Sequence, residues 1–250
     1  MSIFEKDDSM NRSVNLCLSM CEQLYKIKSH NLTVLFSDDI MRDRLQYQNE
    51  KVELSEEPDG LYVPGENGAI FINYPNYVKN PPATLITIVH ELVHYFDSML
   101  FVNDFCDGNW DNFENHEIYK TFRLWSEFHA VYRSLLLGRE IYAYAMPEYY
   151  SREDIIEEFQ DFTKINNYKN YIESFDVVDY YHIFRYCAEV MLCIGMNNQI
   201  TLDYCITNKL VKDFPAFKEL FYDLLKMTTY KEAKEHLDLM HWKLFKHFEY

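Results

Sequence analysis

Apolar residues recur at helical spacing along most of the chain, and only the first third breaks that rhythm. Residues 10–28 carry the spacing of an amphipathic helix. The triplet Asn80-Pro81-Pro82 is a helix start signal, with proline in the first turn, and predicts a helix from residue 81 to about 101. Asn115 can cap a further helix ending before Gly138. Beyond Glu148 the pattern predicts helices at about 152–164, 178–196, 208–227 and 231–248. Strand patterns are confined to the first third. Residues 61–63 and 69–74 are short apolar runs joined by the turn Pro64-Gly65-Glu66-Asn67-Gly68. Residues 32–36 and 52–54 are further strand candidates. The expectation is a small sheet of three or four strands, mostly antiparallel, within a mostly helical α+β protein.

Composition sharpens this. The 250 residues include only 7 Pro and 6 Gly, and eight of these breakers fall between residues 58 and 82. An all-β chain needs tight turns throughout, so that class is excluded. Hydrophobic residues make up 48% of the chain, which excludes disorder as the main state. The length suits one domain, with 1–150 as sheet and active-helix core and 151–250 as a helical lobe. A soft seam falls at 146–151.

Charge narrows the partners. The 40 acidic residues against 24 Lys and Arg give a formal charge of −16, which repels phosphate backbones and argues against general nucleic-acid binding. The lysine-rich run at 231–246 is interrupted by Glu232, Glu235 and Asp238 and reads as a solvated helix face. No run of about 18 apolar residues occurs and the N-terminal stretch has no hydrophobic region, so neither a membrane span nor a signal peptide is expected. The six cysteines form no CxxC pair and read as reduced core thiols; Cys17 and Cys21, four apart on the first helix, are small buried hydrophobes or a pair able to grip a metal. A cytoplasmic setting follows. His236, His241 and His247 share no helical face.

Chemistry concentrates in His90-Glu91-Leu92-Val93-His94, an HExxH motif inside the most apolar helix. Four residues advance about 400° in a helix, so both imidazoles face one way, about one turn apart. Two imidazoles so placed can hold one Zn²⁺ at about 2.0–2.1 Å. Glu91, turned about 100° from His90, is displaced from the ligand face but can reach a metal-bound water and take its proton. Asp97 follows one turn beyond His94 on the same face. There it either accepts the free ring N–H of a ligand histidine or is a surface acid.

The run from Gly60-Leu61-Tyr62 through Ala69-Ile70-Phe71-Ile72-Asn73 to this helix resembles the core of the zincin metallopeptidases, over about residues 52–137. The resemblance implies that His90 and His94 bind zinc, that Glu91 is the general base, and that strand 69–74 aligns a peptide substrate as an edge strand. The metzincin continuation is excluded, because Asp97 and Leu100 stand where that branch has glycine and histidine. The gluzincin branch takes a glutamate from a following helix, and Ser126-Glu127-Phe128-His129-Ala130 resembles that element. Glu127 is thus the third ligand the resemblance implies. Locally, Glu127 shares a face with Lys120 and Arg123 and can equally be a solvated acid paired with Arg123. His129 lies on the apolar stripe of Ile118, Phe122 and Trp125, as a core histidine or as the ligand instead. His116 and Asp111 are further alternatives. A donor to the transition state is sought among Tyr142, Tyr144, Tyr149, Tyr150, Tyr181 and His182.

The expected function is zinc-dependent peptide hydrolysis on a polypeptide substrate, with Glu91 as base and no membrane partner. The alternatives are a non-catalytic zinc-binding regulatory or interaction protein on the same fold, a hydrolase of a non-peptide bond, and a helical protein with a chance motif.

Overall fold

The residues Ala69-Ile70-Phe71-Ile72 form an uninterrupted apolar run, and such a run is stable as a strand only where both faces are covered. In the computed structural model this strand, β3 (Ala69–Asn73), is buried at every position. Three strands form one sheet among the described residues, which are 8–47, 58–145, 180–196 and 217–246. The elements up to the sheet are α1 (Asp8–Tyr25), β1 (Thr33–Ser37), α2 (Ile40–Asp43), β2 (Gly60–Val63) and β3. Then come α3 (Tyr74–Lys79), α4 (Pro81–Phe105), α5 (Tyr119–Ala145), α6 (Tyr180–Met196), α7 (Phe217–Leu224), α8 (Tyr230–Lys234) and α9 (Leu237–His241). A π-helical turn, Trp242–Lys246, follows α9. The expected strand at 52–54, the helix at 152–164 and the seam at 146–151 lie outside the described residues.

The sheet order is β1-β3-β2. β2 pairs antiparallel to β3, with Leu61 opposite Phe71, as the turn at 64–68 requires. β1 pairs parallel to β3, with Leu35 opposite Phe71. The sheet is therefore mixed rather than mostly antiparallel, because the long connection from β1 onward lets β1 enter in either direction, whereas a five-residue turn forces reversal. β3 also holds the centre of the sheet. It offers no free edge, so it cannot take a substrate as an added strand; the outer strands among the described residues are β1 and β2.

The chain forms two compact units, residues 1–113 with 133–147, and residues 114–132 with 148–250. In the first unit, Val63, Ala69 and Phe71 cluster with Ile40 of α2 on one face of the sheet. Alternation sends Ile70 and Ile72 to the opposite face, and α4 packs against β2 and β3. α1 covers another side of α4, where the Tyr25 ring stacks on Phe96 at 4.9 Å. Tyr95 donates its hydroxyl to the His30 carbonyl at 2.8 Å and accepts the His30 N–H at 2.9 Å.

Asparagines set the helix boundaries here. Asn73 ends β3 and accepts the Asn76 N–H at 3.0 Å, capping α3, a helix the sequence pattern did not predict. Asn80 ends α3 and accepts the Ala83 N–H at 3.2 Å, capping α4 as expected. α4 runs one turn past the predicted end. It closes where Gly108, at φ 78°, donates its N–H to the Val102 carbonyl at 3.0 Å. By length and composition Ala83–Phe105 would suffice to cross a membrane, contrary to the expectation that no such stretch exists; 67% of its most apolar window is buried within the protein.

α5 starts four residues after Asn115 and continues to Ala145, so Gly138 does not end it. A Cβ at Gly138 would stand 2.8 Å from Ile86 Cγ1 of α4. The glycine is there for close helix approach rather than for termination.

In the second unit the first half of α5 is pinned at Trp125. Its Nε1 donates to the Met227 carbonyl at 2.8 Å, and its ring meets Tyr230 edge-on at 6.0 Å. Thr121 and His241 share a 2.8 Å hydrogen bond. α8 opens with a reciprocal capping box between Thr229 and Glu232. The single helix expected at 231–248 is divided, since α9 restarts at Leu237 and passes into the π-turn.

Candidate metal centre

A helix that is buried nearly all round must satisfy its polar side chains internally. α4 is such a helix, and it carries His90, Glu91, His94, Asp97 and Ser98 among its apolar residues. His90 and His94 remain half-buried. Their Nε2 atoms face each other at 3.1 Å, with the rings nearly perpendicular at 82°. Two imidazole nitrogens bound tetrahedrally to one zinc at about 2.0–2.1 Å would stand about 3.3 Å apart. The spacing suits one N–H···N hydrogen bond between the rings as well as a shared cation.

Glu127 of α5 is the third donor the structure brings to this pair. One ligand atom from each of His90, His94 and Glu127 lies within 4.8 Å of the others. Glu127 is 3% exposed, so it is not the solvated acid that its neighbours in sequence suggested. Its cation is Arg185 of α6, with Nη1 3.4 Å from Oε1, rather than Arg123 one turn before it. Loss of water works against the Arg185 charge, but the Glu127 carboxylate and Tyr181 outweigh it and raise the guanidinium pKa. Tyr181, one turn before Arg185, is held well above the ordinary phenol range, first by loss of water and then by the Glu127 carboxylate. The Arg185 guanidinium lies 5.8 Å from the Tyr181 ring centroid.

His129 goes elsewhere. It is buried, and its ring stacks on Trp125 at 4.8 Å and 22°. Residues 127 and 129 are about 200° apart on a helix, so the stack that draws His129 into the core turns Glu127 the other way. His116 accepts the Ile118 N–H at its Nδ1, at 3.4 Å, and Asp111 is exposed. Neither belongs to a three-donor cluster among the described residues, and neither do Cys17 and Cys21.

Asp97 is fully buried, which overturns its reading as a surface acid. Its Oδ1 accepts the Tyr25 hydroxyl at 2.8 Å. That hydrogen bond ties α1 to α4 one turn beyond His94.

Glu91 is 7% exposed and lies against the first residue of β2. A Cβ built on Gly60 would stand 3.0 Å from Glu91 Cγ and 3.1 Å from its Oε1. The motif glutamate is thereby held between its own helix and a strand backbone, about 100° around α4 from His90 and about 60° from His94.

Two imidazoles and one carboxylate are a donor set that could hold a metal ion, and the same set occurs in catalytic zinc sites with one open position. Tyr142 and Tyr144 lie on α5 without described side chains, while Tyr149 and Tyr150 lie outside the described residues; Tyr181 is the sequence candidate found beside Glu127. Sequence reasoning missed Arg185 altogether, for nothing in a local window marks an arginine whose partner lies 58 positions earlier. It read Gly60 as a chain breaker and as the start of the run that resembles the zincins, and not as a contact of Glu91.

Comparison with protein-family models, with curated proteins and with solved structures finds no match to this chain.

Proposed function

We propose that the protein is a zinc-dependent metallopeptidase of zincin type, gluzincin branch, in which His90, His94 and Glu127 hold the metal and Glu91 is the general base. One observation carries the reading: two imidazoles and a buried carboxylate from different helices converge within 4.8 Å, next to a glutamate with the HExxH offset. A zinc ion held by His90, His94 and Glu127 would supply Lewis acidity and would lower the pKa of a bound water. Glu91 Oε1 takes the proton of the attacking water and returns it to the leaving amine nitrogen, which departs as the C–N bond breaks. Arg185 holds the Glu127 side chain in place, and Tyr181, which interacts with Glu127, is the candidate hydroxyl for a transition-state hydrogen bond. The substrate is an extended polypeptide, and it adds alongside β2, the outer strand beside Glu91, in place of β3. Five described cysteines are buried and form no disulfide, which suits the reducing, cytoplasmic setting of this reading.

The test is a zinc-loaded digest of a broad peptide library by the wild type and by Glu91→Gln. Cleavage by the wild type and none by the variant is the expected result. Equal cleavage by both removes Glu91 from the mechanism, and a wild type that takes up no zinc when offered it removes the metal centre.

A further inference from the structure

α4 presents two pairs of residues at four-residue spacing, offset by about 60°. One is His90 and His94, already described. The other is Thr87 and Glu91, and both lie against Gly60, the first residue of β2. A Cβ at position 60 would stand 2.5 Å from Thr87 Cγ2, as well as 3.0 Å from Glu91 Cγ and 3.1 Å from Glu91 Oε1. At distances this short a side chain at position 60 requires Thr87 or Glu91 to shift. The strand backbone itself is the wall on which the glutamate rests.

The local sequence does not demand glycine for backbone reasons. Gly60 does not have a positive φ, and it sits in an ordinary antiparallel register opposite Ile72. Any residue could adopt that backbone. What requires glycine is the space taken by Thr87 and Glu91. Thr87 is fixed in turn, since its hydroxyl donates to the Ala83 carbonyl one turn back, at 3.4 Å.

We propose that Gly60 is a positioning residue for Glu91: with the Thr87 methyl behind it, the bare β2 backbone fixes where the glutamate carboxylate stands relative to His90 and His94. This deepens the metallopeptidase reading and rests on it for its catalytic consequence, but the placement of Glu91 can be measured without metal or substrate. A methyl at position 60 has two obstacles, the Thr87 methyl at 2.5 Å and the Glu91 side chain. The Thr87 methyl belongs to a threonine held on its helix, so the added group displaces the more flexible glutamate. Thr87→Ser keeps the hydroxyl and removes the 2.5 Å contact, which lets the added methyl move away from Glu91.

The experiment compares wild type, Gly60→Ala, Thr87→Ser and Gly60→Ala/Thr87→Ser. The carboxyl ¹³C signal of Glu91 is read in metal-free protein and assigned by its absence in Glu91→Gln. It shifts in Gly60→Ala and returns toward wild type in the double variant, while the ring signals of His90 and His94 stay in place. Zinc affinity stays within about threefold of wild type in all four proteins, as the ligands are untouched. Zinc-loaded Gly60→Ala loses hydrolysis by roughly 10²-fold, the low end of what a misplaced general base costs, and the double variant recovers at least about tenfold. A packing role alone would lower the melting temperature without moving the Glu91 signal. The proposal is overturned by an unmoved Glu91 signal, by a double variant no closer to wild type than the single one, or by zinc affinity that falls in step with activity. If Gly60→Ala does not fold, the double variant is read against Thr87→Ser, and identical Glu91 signals overturn it. If wild type cleaves no peptide, the metallopeptidase reading fails while the ¹³C comparison still decides the positioning role.

Discussion

Arg185 on α6 meets Glu127 on α5, with Nη1 3.4 Å from Oε1, while the carboxylate is almost wholly buried and the guanidinium is two-fifths exposed. Removing the arginine takes away a cation beside a buried anion. Arg185→Ala should therefore destabilise the metal-free protein, by about 1–2 kcal/mol once the exposure of the guanidinium is allowed for. Zinc places another cation at Glu127, so the loss should shrink when the metal is added. Urea titrations with and without zinc measure both numbers, and an equal loss in each condition argues against Glu127 as a ligand.

Metal content is the next measurement. The wild type should take up about one zinc per chain, and His90→Ala and His94→Ala should each abolish it. Glu127→Ala should weaken binding by orders of magnitude. Elemental analysis after dialysis against a weak chelator gives the stoichiometry, and competition with a chromophoric chelator gives the affinity.

Glu91→Gln should keep zinc and the melting temperature while losing hydrolysis by about 10²–10⁴-fold, because glutamine keeps the shape and cannot take the proton. Elemental analysis, thermal melts and a peptide assay on one preparation check all three.

His129 should matter for stability and not for metal. His129→Ala removes a buried ring stacked on Trp125, at an expected loss of about 2 kcal/mol with zinc affinity unchanged. Trp125→Phe should cost about 1–3 kcal/mol, since it leaves the Met227 carbonyl without the Nε1 donor. Calorimetric melts with parallel zinc titrations separate the two effects.

Alkali should unfold the protein through its buried thiols. Burial raises the Cys17 pKa from 9.0 to about 12. Between those values the unfolded chain releases the thiol proton and the folded chain retains it, so stability falls as pH rises. Each such group contributes a slope of up to about 1.4 kcal/mol per pH unit. Below pH 9 the term is constant. Cys17→Ala should flatten the decline between pH 9 and 11 by about that slope, measured by urea denaturation at intervals of half a pH unit.

Much of the site was legible in the sequence because it is local. The four-residue spacing of His90 and His94 fixes their common face through the helix repeat alone, and the structure duly brings their Nε2 atoms to 3.1 Å. Asn80 before two prolines determined where α4 begins, because the cap bonds within three residues. The apolar run at 69–72 announced a strand, though one expected at the sheet edge and found at its centre, and the turn at 64–68 announced an antiparallel partner. Tertiary structure decided everything that depends on distant segments. β1 could pair either way, and only long-range packing made it parallel. Gly138 carried the mark of a helix end, yet Ile86 on another helix made it an interior contact. Glu127 and His129 were both plausible ligands by residue type, and nothing within α5 distinguishes the direction of a carboxylate from that of an imidazole. Their directions follow partners far along the chain, Met227 and Tyr230 holding Trp125 and its stacked histidine in the core, and Arg185 meeting the glutamate. A local window records what a residue can do, and the packing of the rest of the chain determines which way it faces.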